Sequence, residues 1–243
     1  MFLLVVTWVG NPYLKDDEAN AAQAWTAPTT VPPATSTTPV APLPPGFPSM
    51  TYPPPMPEVP EGQPQPVPTK FGLTYTVPSE NWQANNDMVS GWSDAQGAIA
   101  TYGATSRYRH HYCPEIKGAS LAKVAATGRN GIDLDTAARE EVLKAQRIFA
   151  DDKTGRTPNV EVRGPNALEV SGRPAVRYTA VVTDIPRTST CSPQQAEFDI
   201  IATPAYASAE VMLLMVEHHV GLEDALTDAD IENIVESLSK TEQ

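Results

Sequence analysis

Two short stretches concentrate the residues able to do chemistry. "YRHHYC" (Tyr108 to Cys113) brings His110, His111 and Cys113 within four residues, and "EHH" (Glu217 to His219) sets Glu217 beside His218 and His219. Together they hold all four histidines of the 243-residue chain. Zinc accepts imidazole and carboxylate ligands, so one histidine from each stretch plus Glu217 would make a three-ligand site. The same groups could serve a hydrolase as a base with an orienting partner. On a strand, neighbouring side chains point to opposite faces. His110 would then share a face with Tyr108 and Tyr112, and His111 with Arg109 and Cys113. His218 continues the Leu214/Val216 face and His219 the Met215/Glu217 face. At most one histidine of each pair can therefore join a common site. The HExxH spacing of a helical zinc site is absent. The reading preferred is strand-end histidines near the surface, with no metal, no cofactor and no catalytic residue.

Other constellations have structural explanations. Asp133 and Asp135, and Asp224, Asp228 and Asp230, stand where helices begin, and carboxylates there complement the helix dipole. Asp151 and Asp152 lack the rhythm of a calcium loop. The serines of "VSGWSD" and "TCSPQQ" have no nucleophile elbow, and "TGRNG" is not a phosphate loop. Trp82, Trp92, Tyr102, Tyr108 and Tyr112 could line a groove, but they read better as core and cross-strand pairs.

The elements that would position these residues follow from pattern. "FGLTYTV" alternates and ends at Pro78, a first strand. "MVSGW" and "GAIATYGAT" form a hairpin around "SDAQ", and "SRYRHHYC" is a short strand. "SLAKVAA" reads as a short helix, and "DTAAREEVLKAQRIFA" as a longer one with Asp135 at its N-cap. "NVEV", "ALEV", "PAVRYTAVVTDI" and "AEFDIIAT" are strands. "AEVMLLMVEHHV" is a continuous apolar run, a strand covered on both faces. Thr227 caps a last helix with Ile231, Ile234, Val235 and Leu238 on one stripe. Short links favour antiparallel pairing. The expected fold is α+β, an antiparallel sheet of about six or seven strands with packed helices.

Composition divides the chain. Of 25 prolines, 17 precede Lys70. The stretch 27–69 is Pro, Thr, Ser, Ala and Val, too poor in large apolar groups to offset chain entropy. It reads as a disordered, partly polyproline-II stalk. Residues 1–10, "MFLLVVTWVG", are apolar but shorter than the roughly 20 residues a bilayer span takes. They read as the outer end of a transmembrane anchor whose beginning lies upstream, with Trp8 at the interface. The expected organisation is thus an anchor remnant at 1–10, a linker at 11–69, and an extracytoplasmic domain at 70–243. That domain carries 16 basic and 24 acidic residues, which disfavours nucleic acid as a partner. Two cysteines, Cys113 and Cys191, form no CxxC motif. In an exported domain an even count points to one disulfide, Cys113–Cys191; in a cytoplasmic chain they would be two buried thiols.

The order "FGLTYTVP", "SLAKVAATGRNG", "AAREEVLKAQRIFAD", "VSGRPAVRYTAVV", with a cysteine before and after, resembles an uncharacterised domain of actinobacterial membrane proteins. There the domain follows one transmembrane helix and a Pro/Thr-rich linker. More loosely the chain is similar to the PsbP/Mog1-like α+β sandwich of mycobacterial lipoproteins, though no lipidation cysteine stands near the start. The resemblance implies location and fold and carries no catalytic residues. The function expected is a non-catalytic module at the cell membrane, single-pass, with its domain outside, binding an envelope protein or cell-wall polymer. The alternative is an envelope hydrolase or metal-dependent enzyme using the His110/His111 and His218/His219 regions.

Overall fold

A computed structural model describes residues 42–242. The apolar start and residues 11–41 of the linker lie outside the described residues. Among the described residues no helix is long and apolar enough to cross a membrane.

The described residues build two antiparallel sheets. The small one is β1 (Gln65–Pro68), β2 (Leu73–Val77) and β11 (Ser239–Lys240), with β2 in the middle. The large one has eight strands. Its members are β3 (Trp82–Gln83), β4 (Ser90–Asp94), β5 (Gly97–Tyr108), β6 (Ala122–Arg129), β7 (Asn159–Val170), β8 (Arg173–Thr183), β9 (Gln195–Pro204) and β10 (Val211–Val220). The order is β3-β5-β6-β10-β9-β8-β7, with β4 paired to β5. Among the described residues there are three helices: α1 (Leu134–Val142), α2 (Ala145–Ile148) and α3 (Asp228–Glu236). The α+β, antiparallel expectation holds, with eight strands in the large sheet where about six or seven were expected.

Both faces of the large sheet are covered, and β10 shows why its sequence does not alternate. Met212, Leu214 and Val216 pack with Leu73, Tyr75 and Val77 of β2 and with Ile231, Ile234 and Val235 of α3. Val211, Leu213 and Met215 pack on the other face with Ala137, Ala138 and Val142 of α1. A strand between two covers gains from burying every side chain, so the period-two signal disappears. Tyr75, fully buried, ties the small sheet to the large one through its hydroxyl, which donates to the Ala104 carbonyl at 2.6 Å.

Three expectations need correction. "SLAKVAA" is strand β6, paired to β5 and β10, and not a helix. Leu121, Val124 and Ala125 have helical spacing, but a strand covered on both faces offers the same apolar run, and tertiary pairing decides. The helix cap is Asp133, whose carboxylate accepts from the Thr136 amide at 2.9 Å, while Asp135 instead accepts from the Tyr178 hydroxyl. "NVEV" and "ALEV" are one strand, β7, broken in register between Arg163 and Asn166. The Thr227 cap is as expected, and Asp230 completes its capping box.

The folded domain also starts N-terminal to the boundary expected at Lys70. Val67 and Thr69 are wholly buried, and β1 pairs with β2. Proline is tolerated there because β1 is an edge strand, where missing amide donors break no ladder. Further upstream, Ser208 holds the chain at Met50, donating to its carbonyl at 3.1 Å and accepting from its amide at 2.7 Å. Asn86 donates to the Pro54 carbonyl at 2.7 Å.

Candidate functional site

The histidine stretches end in different surroundings. β5 stops at Tyr108, and Arg109 and His111 take left-handed backbone angles (φ 43° and 69°), so "RHHY" is a turn. The strand parity argued for His110 and His111 therefore does not apply. Their rings lie 3.8 Å apart, and His110 faces Ser120 (3.1 Å) and Arg107 (3.3 Å). Burial and the neighbouring His111 keep the His110 pKa below its ordinary value. On β10 the parity argument holds. His219 lies on the α1 side, 3.4 Å from Glu217 and 3.3 Å from the Tyr112 hydroxyl. Glu217 is opposite Lys123 across the β6–β10 ladder, with the ammonium at 2.8 Å. Burial alone would raise the Glu217 carboxyl, but Lys123 and His219 override it and hold its pKa at about 2. His218 points to the α3 side, with Glu197 and Asp199. Among the described residues no hydrogen bond or ion pair joins a histidine of one stretch to a histidine of the other, and Glu217 serves Lys123 and His219 only. The three-ligand arrangement considered from sequence is not assembled.

Cys113 and Cys191 are joined, with Cα atoms 5.8 Å apart. The bridge links the turn after β5 to the loop between β8 and β9, and the Tyr112 hydroxyl donates to the Cys191 carbonyl at 3.0 Å.

A groove of about 790 Å³ opens elsewhere, beside the start of the domain. Phe71, Ala104 and Ala126, all buried, form its base. Tyr52 and Val89 stand on its lining, 77% and 64% exposed, and only one other large apolar residue among those described, Leu143, is comparably exposed. Hydroxyls come from Thr101, Thr127 and Ser208, and the lining carries one charge of each sign, Lys70 and Asp87. One wall is Thr51 to Pro53, the segment that Ser208 and Asn86 pin in place. Gly128 keeps the base tight: a methyl group there would meet the Phe71 ring at 2.5 Å. Gly103 is the reverse, since a Cβ there meets nothing within 4 Å.

A second, polar cleft of about 260 Å³ lies between the sheet and α3, and His218, Glu197, Arg177 and Glu232 line it.

A family model described as Domain of unknown function (DUF8017) matches residues 55–242. The chain belongs to this family. No curated protein matches it. The DUF8017 match begins upstream of β1, in agreement with a folded region that starts before Lys70.

Sequence reasoning missed both clefts. The groove uses Tyr52 and Phe71 on the two sides of a boundary drawn at Lys70. For the polar cleft a signal was present. In "AEFDII" Glu197 and Asp199 are two apart, so they share a strand face, and an antiparallel partner ending in histidine could reach it.

Proposed function

We propose that this DUF8017 domain is a non-catalytic binding module of the cell envelope, and that its groove holds an extended, uncharged segment of a partner protein. The observation that carries the reading is the groove with Tyr52 and Val89 on its lining. Its volume of about 790 Å³ lies in the range of specific ligand clefts, roughly 300–1,000 Å³. Apolar side chains exposed together around a cleft mark a contact surface, whereas scattered ones do not. The balanced pair of Lys70 and Asp87 gives no preference for a charged ligand, and the hydroxyls offer partners to a backbone. The disulfide fits an oxidising compartment. A single-pass anchor upstream, a Pro-rich tether and a PsbP-like sandwich of the lipoprotein kind complete this reading.

The test places a photoreactive amino acid at position 89 of the whole chain, and in a separate protein at position 143, in intact cells. Val89 and Leu143 are similarly exposed, so they differ in the groove and not in accessibility. The expected result is a discrete protein adduct from position 89 several-fold stronger than any from position 143. Equal yields from the two positions, or an adduct to wall polymer in place of protein, overturn the reading.

A further inference from the structure

We propose that Glu197, Asp199 and His218 form a binding site for one divalent first-row transition cation of the zinc type. Register builds the cluster. His218 on β10 pairs with Glu197 on β9, and Asp199 lies two residues along on the same face. A ring nitrogen and one oxygen from each carboxylate lie within 4.8 Å of one another. Around a tetrahedral ion bound at about 2.0–2.2 Å, ligand atoms sit roughly 3.3–3.6 Å apart, so small side-chain rotations would close the set.

Two buried atoms point to a missing partner. Asp199 is 0% exposed and His218 2%, yet among the described residues Asp199 Oδ2 and His218 Nδ1 have no hydrogen-bond partner. Native structures avoid leaving such groups bare inside a protein. A cation held there gives the bare Asp199 oxygen a partner, and the His218 nitrogen that faces Glu197 is Nε2, 4.0 Å from its carboxylate.

Arg177 is the competing explanation, because it already neutralises part of the cluster. Its Nε donates to Asp199 Oδ1 at 2.8 Å, and its NH1 to Glu232. Thr179 also donates to Asp199 Oδ1. Both contacts fall on the same oxygen and leave Oδ2 free, which is how an outer partner orients a metal-binding carboxylate. The charges facing the cluster are Glu197, Asp199, Asp228 and Glu232 against Arg163 and Arg177, an excess of two negatives with His218 neutral. Burial, then the charges of Asp199 and Asp228, hold the Glu197 carboxyl above its ordinary value. Burial keeps the His218 pKa below its ordinary value. One imidazole with two carboxylates suits zinc, iron or cobalt better than magnesium or calcium, which prefer oxygen alone.

The experiment uses the whole chain stripped with chelator and titrated with Co²⁺, read by visible absorption and calorimetry. A His110→Gln/His111→Gln background removes the two imidazoles of the turn, one half-buried and one exposed. One saturable equivalent is expected, with paramagnetic broadening of amide signals centred on residues 197–199 and 218. Glu197→Gln, at a partly exposed side chain (27%), is expected to weaken binding about tenfold or more. Absence of saturable Co²⁺ binding, broadening centred elsewhere, or unchanged affinity in Glu197→Gln overturns the proposal. The broadening map needs no variant of the cluster, so it decides the matter even if a substitution disturbs folding.

Discussion

Opening the Cys113–Cys191 bridge is expected to cost more stability than any single side-chain change. The bridge closes a loop across 78 residues of sequence. Chain-entropy reasoning gives a crosslink of that span about 4–5 kcal/mol, most of it from restricting the unfolded chain. In a domain of this size that is a fall in melting temperature of roughly 10–15 °C, at about 2–4 °C per kcal/mol. Native contacts at the bridge survive reduction. Glu115 accepts from the Thr190 amide at 3.1 Å, and Tyr112 holds the Cys191 carbonyl. The two loops therefore stay close in the folded protein, and the loss appears in the unfolded state. Urea unfolding of the Cys113→Ser/Cys191→Ser chain should show a lower midpoint and a larger slope, because a freed chain exposes more surface. A stability within about 1 kcal/mol of the bridged protein would contradict the entropic account.

Glu217→Gln is expected to destabilise the fold by about 3 kcal/mol at neutral pH, since removing one partner of a buried ion pair strands the other. The stranded group is Lys123, whose ammonium sits between Glu217 and the Trp92 ring, 5.0 Å from its centroid. The effect depends on pH, and its sign follows from the depressed pKa. A carboxyl held at about 2 in the fold and near 4.5 when unfolded stabilises fully above the unfolded value. That contribution fades as the pH falls from about 4.5 towards about 2. The gap in unfolding free energy between the native protein and Glu217→Gln should thus be widest near neutrality and close in acid. Other carboxylates titrate in both proteins and cancel in the difference. A gap that stays constant from neutral to acid pH would show that the fold does not depress the Glu217 pKa.

The fold was more legible than the sites, for a physical reason. "LTYTV", "PAVRYTAVV" and the Thr227 helix carry local signals: alternation, a cap, a stripe. Each became the expected element. "SLAKVAA" carried a misleading signal, because Leu121, Val124 and Ala125 have helical spacing while burial of Val124, Ala125 and Ala126 in turn leaves no alternation to mark a strand. The turn at Arg109 to Tyr112 rests on left-handed angles at Arg109 and His111, residues that do not announce them. His218 could be placed on its face by parity, but its neighbours Glu197 and Asp199 depended on β9 pairing with β10, a register that no local pattern encodes. The groove was hidden by composition. Pro48 to Pro54 look like a tether, and only the bonds from Ser208 and Asn86 make them a wall.

The central claim, that the groove holds the partner, is tested most directly by blocking it from within. Gly103 lines the groove, has no left-handed backbone requirement, and faces open space where a Cβ would stand. Gly103→Leu therefore adds apolar bulk to the lining at a point where a Cβ meets none of the protein's own atoms. The measurement is the yield of the position-89 photo-adduct in intact cells, with and without Gly103→Leu, alongside the melting temperature of each protein. The account predicts that Gly103→Leu abolishes the adduct and leaves the melting temperature unchanged. An undiminished adduct from a normally folded Gly103→Leu protein would contradict it.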